Sequence, residues 1–134
     1  MDERFHRGIL EFNRRFFFEA HDILEDLWHE YREEDRRFLQ GLIQVAVGCY
    51  HLETGNWKGA NSQFSKAISK ITPYVPVHHG LVVDDLLHEV QRCLDHVERS
   101  AEADRTAESG QRRARPFEFP TIKYIHQDQI PPVP

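Results

Sequence analysis

A chain of 134 residues is long enough for one domain with a single hydrophobic core, and we expect one domain. Its hydrophobic content of 40% and charged content of 29% are ordinary for a soluble globular protein. The net charge of −5 argues against a general nucleic-acid-binding protein, because such proteins present a basic surface.

The first two predicted helices are amphipathic. The first covers residues 2–13 and is short. The second covers residues 16–31, with an apolar arc on one side and carboxylates on the other. His21 lies at the edge of that arc, and Glu25 lies one turn further along the same edge. An ionisable pair beside an apolar surface is unusual, so this edge is a candidate site.

The third predicted helix, residues 37–54, is apolar nearly all round its circumference. Such a helix belongs inside a protein core or a membrane. Its apolar run is too short and too interrupted to cross a bilayer, which takes about 20 apolar residues. We therefore expect a central helix packed on several sides by the others. Buried polar groups need partners, and this helix carries a narrow polar stripe that consists of Arg37, Gln40, Gln44 and His51.

Two further helices complete the predicted bundle. The fourth, residues 57–71, begins after Asn56, which is a good N-cap, and ends before two prolines. The segment PYVPVHHG is then interpreted as a loop, in which His78 and His79 could be ligands, although adjacent loop histidines are usually solvated. The fifth helix covers residues 83–100. A set of residues that includes Gly48 and Phe64 has the spacing of a tetratricopeptide hairpin, but a single copy indicates ordinary close packing of two antiparallel helices.

The C-terminal part has a different composition. Residues 101–115 are polar and lack apolar periodicity, which predicts a linker. The tail beyond them alternates apolar residues with prolines, so it cannot be helical and is interpreted as an extended strap. The strap would dock on its own domain or on a neighbouring subunit, and the second alternative predicts a homo-oligomer formed through the tail.

The predicted organisation is therefore all-α, with a single-domain bundle of about five helices over residues 1–100. One of these helices is central and buried. Residues 101–134 supply the polar linker and the extended, proline-rich C-terminal strap.

The location is predicted from the N-terminus and the cysteines. The first residues, MDERFHRG, are charged and contain no apolar run, so no secretory leader is expected. Cys49 and Cys93 fall on apolar helix faces and are interpreted as core residues. Cysteines without a leader suggest a reducing compartment, so we expect a cytoplasmic protein without a membrane partner.

The second and third helices are expected to bring three ionisable side chains together. Their short connection forces an antiparallel hairpin, in which His21 and Glu25 come level with the end of the central helix. Gly41 and Gly48 flank the polar stripe and would allow the neighbouring helix to approach closely. His21, Glu25 and His51 would then meet. Two imidazoles and a carboxylate are a common ligand set for a divalent metal such as zinc, and an open position would admit a water molecule for hydrolysis.

The same residues also have a structural interpretation. His21 and Glu25 would form a buried hydrogen-bond network, while the glutamines of the stripe bond helix ends or one another. Spacing alone favours this network, because a His and a Glu four residues apart lack the local pattern of an HExxH zinc site and His51 comes much later in the chain.

Two stretches carry a family resemblance. They are FFFEAHDILEDLW, residues 16–28, and RRFLQGLIQVAVGCYHLETGN, residues 36–56. They resemble the domain-of-unknown-function family numbered 309, whose members carry an F-F-E-A-H-x-x-L-E-x-x-W segment and an F-L-Q-G-L-I-Q helix that ends in Y-H and a G-N turn. The resemblance extends over about residues 12–76. It implies an all-helical fold with one helix surrounded by others, and the family is sometimes labelled a predicted metal-dependent hydrolase.

The resemblance implies a set of site positions in this chain. They are Glu19, His21, Glu25, Trp28, Gln40, Gln44, His51 and Asn56.

Two functions remain open. In the leading hypothesis the protein is a metal-dependent hydrolase with a polar pocket between the second and third helices. His21, Glu25 and His51 would be metal ligands and Glu19 or Glu25 the general base, while a small-molecule ligand would contact Trp28, Arg37, Gln40, Gln44 and Asn56. The alternative is a non-catalytic helical interaction module, in which these residues are structural and the tail and the hairpin of the third and fourth helices contact a partner.

Overall fold

The computed structural model describes residues 2–31, 34–106 and 117–126. Within these ranges the chain forms five α-helices and one short hairpin. In chain order the elements are α1 (Glu3–Asn13), α2 (Phe17–Glu30), α3 (Asp35–Glu53), α4 (Trp57–Ile71), a 3₁₀ turn (Thr72–Tyr74), β1 (Val77–His78), β2 (Leu81–Val82) and α5 (Val83–Thr106). The predicted all-α class with about five helices is confirmed.

Helix α3 is the centre of the bundle. It contacts α2 and α4, and ten of its 19 residues are buried. That is more than a single face of a helix can supply, so α3 must be covered on several sides. The predicted central helix is confirmed. None of the described helices is long and apolar enough to cross a membrane.

Two glycines of α3 allow α4 to pack closely against it. A Cβ atom on Gly48 would lie 2.6 Å from the ring of Phe64, and a Cβ atom on Gly41 would overlap the side chain of Ile71. Real Cβ atoms do not approach other atoms so closely, so only glycine permits this helix separation. The close packing predicted for Gly48 and Phe64 is confirmed. The glycine face, however, is turned toward α4, whereas the predicted site required it to face α2.

Helix α5 is longer than predicted, because it ends at Thr106 instead of Ser100. The additional residues are mostly alanine, glutamate and arginine, which favour helix even without an apolar pattern. Near this end the indole N–H of Trp57 donates to Oδ2 of Asp104 at 2.6 Å and ties α5 to the start of α4. The rest of the predicted linker, residues 107–115, lies outside the described part of the chain.

A short hairpin stands where a loop was predicted. Strands β1 and β2 pair antiparallel, with Val77 opposite Val82 and His78 opposite Leu81. Gly80 has a φ of 78° in the turn between them, a conformation that glycine adopts at little cost. Strands of two residues carry too little periodicity to be recognised in a sequence.

The described part of the tail, residues 117–126, is an extended strap that pairs with the hairpin. The N–H of Val82 donates to the carbonyl of Lys123 at 2.8 Å, and the N–H of Ile125 donates to the carbonyl of Gly80 at 2.8 Å. The strap therefore pairs with β2 on its own chain, through an isolated antiparallel bridge between Leu81 and Tyr124. A homo-oligomer formed through the rest of the tail stays a prediction.

Aromatic side chains anchor the other end of the strap. The ring of Phe117 stacks on His96 of α5 at 4.1 Å between centroids, and the ring of Phe119 lies 5.2 Å from that of Phe17. Ile122, further along the strap, is only 3% exposed. The strap thus contributes side chains to the hydrophobic core of the bundle.

Candidate functional site

The predicted pair on α2 forms. Nε2 of His21 lies 3.1 Å from Oε2 of Glu25, and Nδ1 of His21 lies 3.1 Å from the carbonyl oxygen of Phe18. The His21 side chain is 22% exposed and the Glu25 side chain 46%. The pair therefore lies at the surface of the bundle and does not form a buried hydrogen-bond network.

His51 lies near the end of α3 and faces α4. Its Nδ1 is 3.2 Å from Nδ2 of Asn56, and a Cβ atom on Gly59 would lie 2.9 Å from its Cδ2. The preceding residue, Tyr50, faces the other way, with its ring 5.7 Å from that of Phe18 on α2. Successive helical residues are about 100° apart, so the rotation that turns Tyr50 to α2 turns His51 to α4.

The structure therefore does not bring His51 together with His21 and Glu25. In the described part of the chain, one group of three His, Cys, Asp or Glu side chains has ligand atoms that all lie within 4.8 Å of one another, and that group contains none of these three residues. The antiparallel hairpin of α2 and α3 was predicted correctly, but the rotation of α3 about its axis was not.

Three other predicted residues have structural contacts or face solvent. Asn56 caps α4 as expected, since its Oδ1 accepts from the N–H of Gly59 at 3.0 Å. The guanidinium of Arg36 lies 3.8 Å from the ring centroid of Trp28 in a cation–π contact. Glu19 is exposed on α2.

The other residues of the polar stripe lie on the side of α3 that faces α4. Arg37 is exposed, and Gln40 and Gln44 are half-buried. Burial and the positive charge of Arg37 lower the pKa of Lys70, which places Arg37 near the end of α4. Oε1 of Gln44 is buried and has no hydrogen-bond partner among the described residues. These contacts do not join the stripe to the His21–Glu25 pair.

A different cluster has the geometry of a metal site. Nε2 of His78 lies 2.8 Å from Oδ1 of Asp35, and Nε2 of His79 lies 2.8 Å from Oδ2 of the same carboxylate. Asp35 is the first residue of α3, while the histidines lie on β1 and in the turn after it. We refer to these three residues as the Asp–His–His cluster.

The backbone of the hairpin explains how adjacent histidines reach one carboxylate. Successive side chains of an extended strand point to opposite sides. His79 has a φ of 47°, a left-handed conformation that non-glycine residues seldom adopt. It leaves the strand geometry at this residue, and both imidazoles contact Asp35. The His78 ring is held in place by Phe38 and Tyr74, with 4.7 Å between ring centroids in each case.

The cluster is charged and reachable from solvent. Burial by itself raises the pKa of Asp35, but the hydrogen bonds from His78 and His79 outweigh it, so the carboxyl pKa lies below its ordinary value. The carboxylate is therefore ionised at neutral pH. The side chains are 26% exposed for Asp35, 27% for His78 and 31% for His79. An ion from solvent would not have to pass through the core to reach them.

The donor set fits a divalent transition metal. Imidazole nitrogens and a carboxylate oxygen are ordinary zinc ligands at about 2.0–2.2 Å, and two such ligands in a tetrahedral site lie about 3.3 Å apart. The three ligand atoms here all lie within 4.8 Å of one another. Without an ion, the same groups form a clamp in which each imidazole N–H donates to one carboxylate oxygen and joins the hairpin to α3.

Sequence reasoning considered His78 and His79 as possible ligands but did not connect them with Asp35, because the residues are distant in the chain. Asp35 and His78 are separated by 43 positions, and no local spacing connects them. The signals that were present are a pair of adjacent histidines after Pro76 and an aspartate at the start of the central helix. Neither is specific by itself.

The two cysteines are core residues, as predicted. Cys49 and Cys93 are both fully buried. Burial raises the pKa of the Cys49 thiol well above its usual value, and the neighbouring Cys93 acts in the same direction. A thiol in this state is a poor nucleophile and a poor metal ligand.

Known proteins resemble part of this chain. The family described as Domain of unknown function (DUF309) matches residues 5–63. The "Uncharacterized protein YpuF" of Bacillus subtilis (strain 168) is 39% identical over 62 residues, which are 45% of this chain and 36% of that protein. The chain thus matches little more than a third of that relative's length, and neither description names a reaction. The resemblance to domain-of-unknown-function family 309 is therefore confirmed over residues 5–63, which carry the FFFEAH and FLQGLIQ motifs and Asp35.

Proposed function

We propose that this protein binds a divalent transition-metal ion, with zinc as the first candidate, through Asp35, His78 and His79. The observation that supports the proposal is the convergence of two imidazole nitrogens on the two oxygens of one ionised carboxylate, at 2.8 Å each. All three side chains are partly exposed, so the ion would have access. We therefore keep the divalent metal that was expected from the sequence. Its proposed ligands are now the Asp–His–His cluster instead of His21, Glu25 and His51.

If the protein is a metal-dependent hydrolase, the Asp–His–His cluster would hold the metal. When bound, a zinc ion held by three protein ligands supplies an open coordination position at which water is activated for hydrolysis. The roles suggested for Glu19 and Glu25 as general bases do not carry over to this cluster, because neither belongs to it. Here the protein's own part is to hold the carboxylate ionised and to fix both imidazoles.

Zinc titration of tag-free protein against a chromophoric chelator tests the proposal. We expect one zinc ion per chain in the wild type, and weaker binding by at least about tenfold in Asp35→Asn and His78→Ala, because loss of a ligand removes one of three bonds. His21→Ala and His88→Ala, the latter at an exposed histidine of α5, are the matched controls and should bind zinc as the wild type does. Loss of binding in His21→Ala with full binding in Asp35→Asn would return the site to α2, and absence of stoichiometric binding would overturn the proposal.

Hydrolysis needs its own measurement. The zinc-loaded wild type would be compared with Asp35→Asn on activated carboxylic and phosphate esters. Turnover by the wild type that disappears in the variant supports a hydrolase. Zinc binding without turnover of any of these esters would limit the function to metal binding.

The structural clamp is the competing interpretation and belongs to the interaction-module alternative. The observation in its favour is that both oxygens of Asp35 already have partners at hydrogen-bond distance. In that case Asp35→Asn would lower the free energy of unfolding in metal-free buffer, while zinc would leave the stability of the wild type unchanged.

We also propose that the protein works in the cytoplasm. The support is that Cys49 and Cys93 lie side by side as free thiols, which fits a reducing compartment. Fractionation of expressing cells tests this, and recovery in a secreted fraction would contradict it.

A further inference from the structure

Two large aromatic side chains on the outer surface of the α2–α3 hairpin remain exposed. Phe18 of α2 is 51% exposed and Tyr50 of α3 is 37% exposed. Their ring centroids are 5.7 Å apart with an interplanar angle of 56°, so they form a joint surface across the two helices. Large apolar side chains that lie together in solvent mark a contact surface more often than scattered ones do.

His21 contacts Phe18, the member of this aromatic pair that lies on α2. Its ring meets that of Phe18 edge-on, with 5.4 Å between centroids, and Nδ1 lies 3.1 Å from the Phe18 carbonyl oxygen. The other nitrogen of His21 lies 3.1 Å from Oε2 of Glu25. The His21 imidazole therefore orients both the exposed ring of Phe18 and the carboxylate of Glu25. A surface whose side chains are already ordered loses less entropy on binding.

The helix that carries Phe18 is acidic throughout. Helix α2 contains no lysine or arginine, and its carboxylates are Glu19, Asp22, Glu25, Asp26 and Glu30. Asp22 and Glu25 follow Phe18 at i+4 and i+7, so they share its side of the helix. We call Phe18, Asp22, Glu25 and Tyr50 the aromatic–acidic face. Its charge excludes nucleic acid and anionic lipid as occupants, because both would be repelled.

We propose that the aromatic–acidic face docks a basic amphipathic segment of a partner protein. Apolar side chains of that segment would pack on Phe18 and Tyr50, while its arginines would pair with Asp22 and Glu25 and stack over the rings. Charge complementarity selects the basic partner, and the aromatic pair supplies the apolar anchor that a purely electrostatic contact lacks. This inference is independent of the metal proposal.

Fluorescence anisotropy tests it with a labelled synthetic helical peptide that has leucines on one face and arginines on the other. We expect Phe18→Ser and Tyr50→Ser each to weaken binding about tenfold, as central aromatic contacts do. The double variant Asp22→Asn with Glu25→Gln should weaken it as well and reduce its dependence on salt. Both aromatic side chains are substantially exposed, so these variants should fold, which thermal unfolding would verify.

Controls separate docking from general attraction between a cationic peptide and an acidic protein. Val77→Ser and Ile125→Ser alter other exposed apolar residues (39% and 45% exposed) and should bind as the wild type does. A peptide with serines in place of its leucines should bind weakly to every variant. Equal binding of the two peptides, or unchanged affinity in Phe18→Ser, would overturn the proposal. An equal loss in Val77→Ser would do the same.

Discussion

The side-chain amide of Asn13 forms with Ile122 both hydrogen bonds that a neighbouring β-strand would supply. Nδ2 of Asn13 donates to the carbonyl of Ile122 at 2.9 Å, and Oδ1 accepts from its N–H at 2.8 Å. The two residues are 109 positions apart. One side chain at the end of α1 therefore sets the register of the strap and pairs the backbone of a buried residue.

Replacing Asn13 with alanine should destabilise the protein. Two hydrogen bonds at about 0.5–1.5 kcal/mol each predict a loss of about 1–3 kcal/mol in the free energy of unfolding, measured by urea titration. Ser62→Ala, a change of an exposed polar residue on α4, should cost less than about 0.5 kcal/mol. Equal effects of the two changes would show that the Asn13 bonds contribute nothing to stability.

Gly48→Ala should force α3 and α4 apart. The new Cβ would lie 2.6 Å from the ring of the fully buried Phe64, and overpacking of this kind costs about 1–3 kcal/mol. Thermal unfolding would show the loss. The effect should shrink when Phe64→Leu provides space, so the two changes should not be additive. If the two changes in the free energy of unfolding were strictly additive, the strain would not come from the contact between residue 48 and Phe64.

Alkaline pH should release the strap through Tyr124. Burial raises the pKa of Tyr124 to about 12, against about 10 for an unperturbed tyrosine. Because the folded state holds this proton more tightly than the unfolded state does, the stabilisation is complete below pH 10 and is lost as the pH rises from about 10 to about 12.

The ultraviolet absorbance of tyrosinate measures this titration directly. We expect one tyrosine to ionise near pH 12, and that late component should be absent in Tyr124→Phe. The Tyr124 hydroxyl lies 2.7 Å from Nδ1 of His6 on α1, so ionisation places a charge at the contact between the strap and α1. Titration of every tyrosine near pH 10 would contradict the prediction.

Much of the fold could be predicted from the sequence because its signals are local. The buried circumference of α3, the cap at Asn56 and the stop before the two prolines each depend on a few neighbouring residues. The extension of α5 to Thr106 was not predicted, because helix-forming residues without an apolar pattern resemble a linker.

The candidate site was predicted less well, for a geometric reason. A helical wheel shows that Gln44, His51 and the glycines share one side of α3, but it does not show which neighbouring helix covers that side. The close contact between Gly48 and Phe64 shows that α4 covers this side of α3. The Asp–His–His cluster depends on a positive φ at His79, which is seldom evident from a histidine in a sequence.

The backbone bonds between the strap and the hairpin also set the order in which parts of the molecule open. Contacts between distant segments cost more loop-closure entropy than those within a helical hairpin, and the strap adds few buried side chains to balance that cost. The strap should therefore detach before the helices unfold. In amide hydrogen exchange, Val82, Ile122 and Ile125 should lose protection together, through one partial opening, while the amides of α3 exchange only when the whole bundle unfolds.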